Sequence, residues 1–174
     1  KIYVESFCET LDVLISEDEA KFQNIEAHFK ARLKYLEAQP ESGEVLFLKA
    51  ELNLQRGFNF LNLGQNLNAV WAIRTAYNHT GECLKKYPGF VPIKKTSGVI
   101  QVMIGSVPDK YSWFMSLLGM KGSVSKGQEQ LQALRHSQTS LSTEATILYF
   151  TIKGLINQQH EEATEGILKV LEEQ

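Results

Sequence analysis

NLGQNLNAVWAIRTAYNHTGECLKKYP, residues 62–88, is the stretch on which the fold turns. Gly64 reads as a tight turn, because glycine enters the left-handed backbone region without a Cβ penalty. The residues after it predict one long helix that stops at Pro88, since proline cannot continue the hydrogen-bond ladder. Ala69, small and near the start of that helix, lets it pack close to the element before it. A short turn between two helices leaves them antiparallel neighbours, a helix hairpin.

Working outward, the same grammar recurs. A leucine-rich helix is expected from about residue 43 to 63. Before it, Phe22, Ile25, Phe29, Leu33 and Leu36 fall at steps of three and four, one apolar stripe, ended by Gln39-Pro40. Ser16-Glu17-Asp18-Glu19 reads as a capping box, with Ser16 as the cap and Glu19 reaching back. Residues 2–15 carry Val4, Phe7, Leu11, Leu14 and Ile15 at similar spacing. Downstream, helices are expected at about 93–106, 109–118, 124–136, 142–157 and 160–173. No useful length alternates apolar and polar residues as an exposed strand would. The expected fold is all-α: antiparallel helix hairpins stacked as an irregular superhelix, one domain over residues 1–174 or a piece of a longer array.

Composition limits the function classes. A chain of 174 residues with 43% hydrophobic and 22% charged residues can bury a core, which excludes disorder. A formal net charge of −2 argues against nucleic acid as a partner. The charge is uneven: Lys85, Lys86, Lys94, Lys95, Lys110, Lys121 and Lys126 face only Glu82 and Asp109 between residues 82 and 126. That surplus is either solvated helix ends and loops or a basic face for phosphate, anionic lipid or an acidic partner. Cys8 and Cys83 fit no zinc or redox spacing and could pair in an oxidising compartment. No apolar run reaches the ~18 residues that would indicate a transmembrane helix. The start at Lys1 reads as a trimmed or mature chain, with a removed signal peptide one way to reach it.

The chemistry-bearing residues do not assemble into a catalytic pattern. His160-Glu161-Glu162 has Thr164, not a second histidine, one turn on, so it lacks a zinc pair. His28, His79 and His136 are far apart, and no Gly-rich phosphate loop or serine elbow is present. Asn78-His79-Thr80 is formally a glycosylation acceptor but lies inside the long helix. No catalytic residue, metal or other cofactor is expected. Arg74 lies on the helix of Val70, Trp71, Ile73 and Tyr77, so its guanidinium is read either as a salt bridge to Glu51 across the hairpin or as a clamp for a partner carboxylate.

GSVPDKYSWFMSLLGMKGS, residues 105–123, packs Tyr111, Trp113, Phe114, Met115, Leu117, Leu118 and Met120 between turn-forming ends. Pro108 with Ser106 as cap starts a short helix, and Gly119 ends it. Tyr111, Phe114, Leu117 and Leu118 share a face, with Trp113 and Met120 off it. The segment is read first as a helix wedged into a core. Two functional readings stand beside that: a ridge of partner-binding anchors, or an interfacial membrane contact flanked by Lys110 and Lys121. The candidate partner-binding residues are Arg74, Tyr77, Lys94, Lys95, Tyr111, Trp113 and Phe114.

The turn LGQNLNAV resembles a tetratricopeptide turn, and NQQHEEAT repeats its shape with Ala163 in place of Ala69. The two alanines stand 94 residues apart, not a multiple of the 34-residue repeat, so the array is irregular. A rival register puts Phe60, Leu63, Gly64, Ala76 and Pro88 on consensus positions but cuts the helix at 43–63 in half. Ala50-Glu51, Arg74 through Tyr77, Gly98, Ser106 with Pro108, and Leu117 through Gly122 together resemble the eukaryotic inclusion-body-clearance family of tetratricopeptide proteins. Over residues 44–134 the chain also resembles uncharacterised bacterial tetratricopeptide proteins, often exported, which is the closer relation. Ser123 and Val124 depart from the more polar stretch of the eukaryotic members. The resemblance implies a helical-repeat scaffold with no enzyme activity to carry over. The expected function is a non-enzymatic scaffold that binds a protein or peptide on its concave face, with export to the periplasm or envelope slightly favoured over the cytoplasm. A lipid-associating helical module using residues 110–121 is the alternative.

Overall fold

The computed structural model describes residues 1–172, apart from the side chains of Tyr111, Ser112 and Phe114. The described residues form nine helices and no strand, an all-α fold. In chain order these are α1 (Ile2–Ser16), α2 (Glu19–Glu37), α3 (Gly43–Asn62), α4 (Asn66–Lys86), α5 (Ile93–Gly105), α6 (Asp109–Leu117), α7 (Val124–Arg135), α8 (Ser142–Asn157) and α9 (His160–Glu172). Helix α3 runs unbroken to Asn62, against the register that would cut it.

The helix ends follow from local chemistry. Ser42 accepts the Val45 N–H at 3.2 Å and Ser123 the Lys126 N–H at 3.3 Å, each offsetting one unpaired first-turn donor. Gly64 (φ 71°) and Gly119 (φ 70°) take the left-handed conformation expected of them. Two expected caps are corrected. Helix α1 continues through Ser16, whose hydroxyl donates to the Asp12 carbonyl at 2.7 Å. Glu17 then turns left-handed (φ 53°), so Asp18 caps α2, accepting from Ala20 and Lys21 at 2.8 and 3.1 Å. Ser106 likewise serves the end of α5, donating to the Val102 carbonyl at 2.8 Å, rather than the start of α6.

Within the span read as one domain the chain forms two compact units, Lys1–Phe90 and Val91–Gln174. In the first, α3 is the central element and packs on α1, α2 and α4. Phe29, Leu36, Val45 and Leu52 form a core cluster, joined by Ile2, Leu33 and Leu48. Ala69 is fully buried where α4 meets α3, and a Cβ on Gly57 would stand 3.6 Å from its carbonyl oxygen. The small residue does allow the close approach read from the turn. Cys83 is buried with its Sγ 3.5 Å from the Gly43 carbonyl, while Cys8 is exposed on α1. Both thiols are free, so the disulfide that the sequence allows is not formed.

The α1 stripe is also corrected. Val4 is 58% and Ile15 83% exposed, whereas Ser6 and Thr10 are buried. The reason is a polar partner inside: the Ser6 hydroxyl donates to Gln55 of α3 at 2.6 Å. Burying a hydroxyl is tolerable when it is hydrogen-bonded.

In the second unit α5 packs on α7, α7 on α8, and α8 on α9. Leu131, Tyr149 and Phe150 form its core cluster with Leu148, Ile152 and Ile167. Ala163 is buried against Gly154, the counterpart of Ala69 against Gly57. The α5 and α7 backbones nearly touch at Gly98 and Gly127.

Candidate functional site

The expected site residues fall in two units, and each set stands by itself. In the first, α4 buries Ala69, Ala72, Ile73, Ala76, Thr80 and Cys83. The residues between them are turned outward. Leu67 is 74% exposed and Trp71 55%, one turn apart on a single face. Arg74 follows one turn on, half-buried, with its guanidinium carbon 5.5 Å from the centre of the Trp71 ring. That distance is within cation–π range, so the ring helps hold the guanidinium in place. Tyr77 is half-buried further along the helix. Glu51, the carboxylate expected to meet Arg74, is buried on α3 and accepts from the Gln55 amide at 3.5 Å.

Nearby groups have settled charge states. His79 is held below the ordinary histidine value, first by burial and then by the Lys49 charge, which favours its neutral form. Lys86 donates to Glu41 at 2.9 Å and to Glu82 at 2.6 Å, which pushes its pKa up and engages its charge within the unit.

In the second unit Lys94 is half-buried and Lys95 is 4% exposed, its ammonium 2.8 Å from Glu144 of α8. Lys95 is therefore an internal tie between α5 and α8 rather than a group presented to a partner. On α6, Trp113, read as off the packed face, is 64% exposed; of the face itself Leu117 is 74% exposed and Leu118 half-buried, and Lys110 and Lys121 lie on the surface. Met120, expected off the packed face, is buried, the only such residue among the described side chains of this segment. The Tyr111 and Phe114 side chains lie outside the described residues. Leu67 and Trp71 are exposed apolar side chains that the sequence reading did not put among the candidate residues, and Leu117, read there as part of the packed face, is exposed too. Their signal is only an i, i+4 Trp–Leu pair, which is equally compatible with a core face.

Among the described residues no three His, Cys, Asp or Glu side chains gather as a metal site. No described helix is long and apolar enough to cross a membrane. No protein-family model, no curated protein and no solved structure matches the chain.

Proposed function

We propose that the chain is a non-enzymatic, tetratricopeptide-like helical scaffold that binds a protein or peptide partner. One observation carries this reading: each unit turns a tryptophan–leucine pair out to solvent, Leu67 with Trp71 and Trp113 with Leu117. Large apolar side chains in water are a standing source of binding energy, about 1.5–3 kcal/mol for each one buried. Tryptophan is the residue type most enriched among interface anchors. Lys110 and Lys121 beside Trp113 favour an acidic partner. A lipid surface is the second reading, because the same two lysines around an exposed tryptophan suit an anionic interface.

The test is partner capture by the wild-type chain beside Trp71→Ala, Trp113→Ala and Arg74→Glu, with circular dichroism to confirm the fold. Capture lost in folded variants supports the scaffold; partners retained by all three overturn it. Salt-sensitive binding to anionic liposomes, lost in Trp113→Ala, would favour the lipid surface instead.

A further inference from the structure

Two arginines of this chain lie on pairs of aromatic rings. In the first unit the Arg56 guanidinium carbon is 4.7 Å from the Phe29 ring centre and 4.8 Å from that of Phe60. Its Nε and Nη2 donate to the two Glu26 oxygens at 2.6 and 2.5 Å. Arg135 in the second unit has the same stack, 4.9 Å from Tyr149 and 4.7 Å from Phe150. Among the described residues no carboxylate pairs with Arg135. A guanidinium held on aromatic faces is pre-organised, and its planar donor fork matches a carboxylate or phosphate.

The space beside Arg135 is a cavity of about 380 Å³ between the end of α7, the start of α8 and the last turns of α9. His136 and Lys169 join Arg135 in its lining, and among the described residues no acidic side chain does. The carboxylate in the first turn of α8, Glu144, is drawn to Lys95. Ser142 and Thr143 also line the cavity at the opening of α8, where Leu141 supplies no side-chain cap. The Thr146 hydroxyl proton is engaged by the Ser142 carbonyl at 2.8 Å, which leaves Ser142 and Thr143 as the hydroxyl donors. The first turn of a helix adds partial positive charge and outward N–H groups.

The lining also has apolar members, Phe150 and Val170, and the Phe150 ring occupies the space that a Cβ on Gly166 would need. A bare anion would leave much of 380 Å³ unfilled, and that volume lies in the range of small-molecule pockets. We propose that this pocket binds the phosphate group of a small phosphate monoester, with Arg135 as the bidentate donor and the ester's apolar body against Phe150 and Val170. This site stands on α7, α8 and α9 alone and does not depend on the partner reading.

The experiment is calorimetric titration of the full chain at low salt with inorganic phosphate, phenyl phosphate and benzoate. Phenyl phosphate is expected to bind saturably, more tightly than inorganic phosphate and at least tenfold more tightly than benzoate. Arg135→Gln is expected to weaken it tenfold or more. Lys169→Gln, which keeps the aromatic stack, is expected to weaken it several-fold, so that a misfolded Arg135 variant would not leave the site undecided. No saturable binding of phenyl phosphate at millimolar concentration overturns the proposal. So does unchanged binding in both variants, and benzoate binding as tightly as phenyl phosphate overturns the phosphate assignment.

Discussion

Glu9 of α1 holds the Arg32 guanidinium of α2 through both oxygens, at 2.5 and 2.9 Å, and meets His28 Nδ1 at 2.9 Å. The Arg32 hydrogen bonds, aided by His28 and opposed by burial, keep the Glu9 carboxyl below its ordinary value of 4.5. A carboxyl with a depressed folded-state pKa stabilises the fold above its unfolded value. That contribution fades as pH falls from about 4.5 through the lower folded value. Glu9→Gln should therefore cost about 1–2 kcal/mol at pH 7 and flatten the loss of stability below pH 4.5. Urea unfolding at pH 7 and pH 3 checks this; equal acid sensitivity of the two chains would exclude Glu9 as a source. Such long-range pairs are hard to read in a sequence. Glu9 and Arg32 stand 23 residues apart, and nothing local joins them. The Ser16 cap failed for a different reason: Ser16 and Asp18 are both good cap residues, and the left-handed turn at Glu17 decides between them.

At the scale of elements, α5 and α7 approach each other closely at two glycines. A Cβ on Gly127 would lie 2.6 Å from the Gly98 carbonyl oxygen and 3.0 Å from the Val102 nitrogen, both backbone atoms that cannot swing away. Gly127→Ala should destabilise the second unit by about 1–3 kcal/mol through overpacking. Gly81, exposed on α4 with nothing within 4 Å of an added Cβ, is the contrasting position. Gly81→Ala should stabilise by about 0.5–1 kcal/mol, because alanine loses less backbone entropy in a helix. Thermal unfolding of the two variants should move in opposite directions; a neutral Gly127→Ala would show that α5 and α7 can part at little cost. Helix limits were legible because Pro40, Gly64, Pro88 and Gly119 punctuate the chain by local sterics. The buried face was legible on α2, where Phe22, Phe29 and Leu36 are buried, but less so on α1. Of the stripe Val4, Phe7, Leu11, Leu14 and Ile15, Phe7 and Leu14 are half-buried and the others exposed, while Ser6 turns inward to Gln55 of α3. On α6 the abundance of apolar residues suggested a core, while Trp113 and Leu117 face water.

Across the whole molecule, the lysine surplus between residues 82 and 126 does not amount to one free basic surface. Lys86 answers Glu41, and Lys95 answers Glu144, so part of the surplus is balanced by acids from other parts of the chain. The all-α class could be read directly, since every segment carries helical spacing and helical punctuation. The Arg135 pocket could not, because Arg135, Ser142 and Lys169 come from three helices and meet only after folding. The chain has two tryptophans, Trp71 in the first unit and Trp113 in the second. Each unit therefore carries its own optical gauge. In Trp113→Phe and Trp71→Phe chains the remaining indole should emit at long wavelength and be quenched by acrylamide nearly as in the unfolded chain. Blue-shifted, protected emission from the Trp71→Phe chain would mean that α6 is covered. Where the indoles do start out wet, the arrival of a partner on either unit becomes visible as a blue shift from that unit alone.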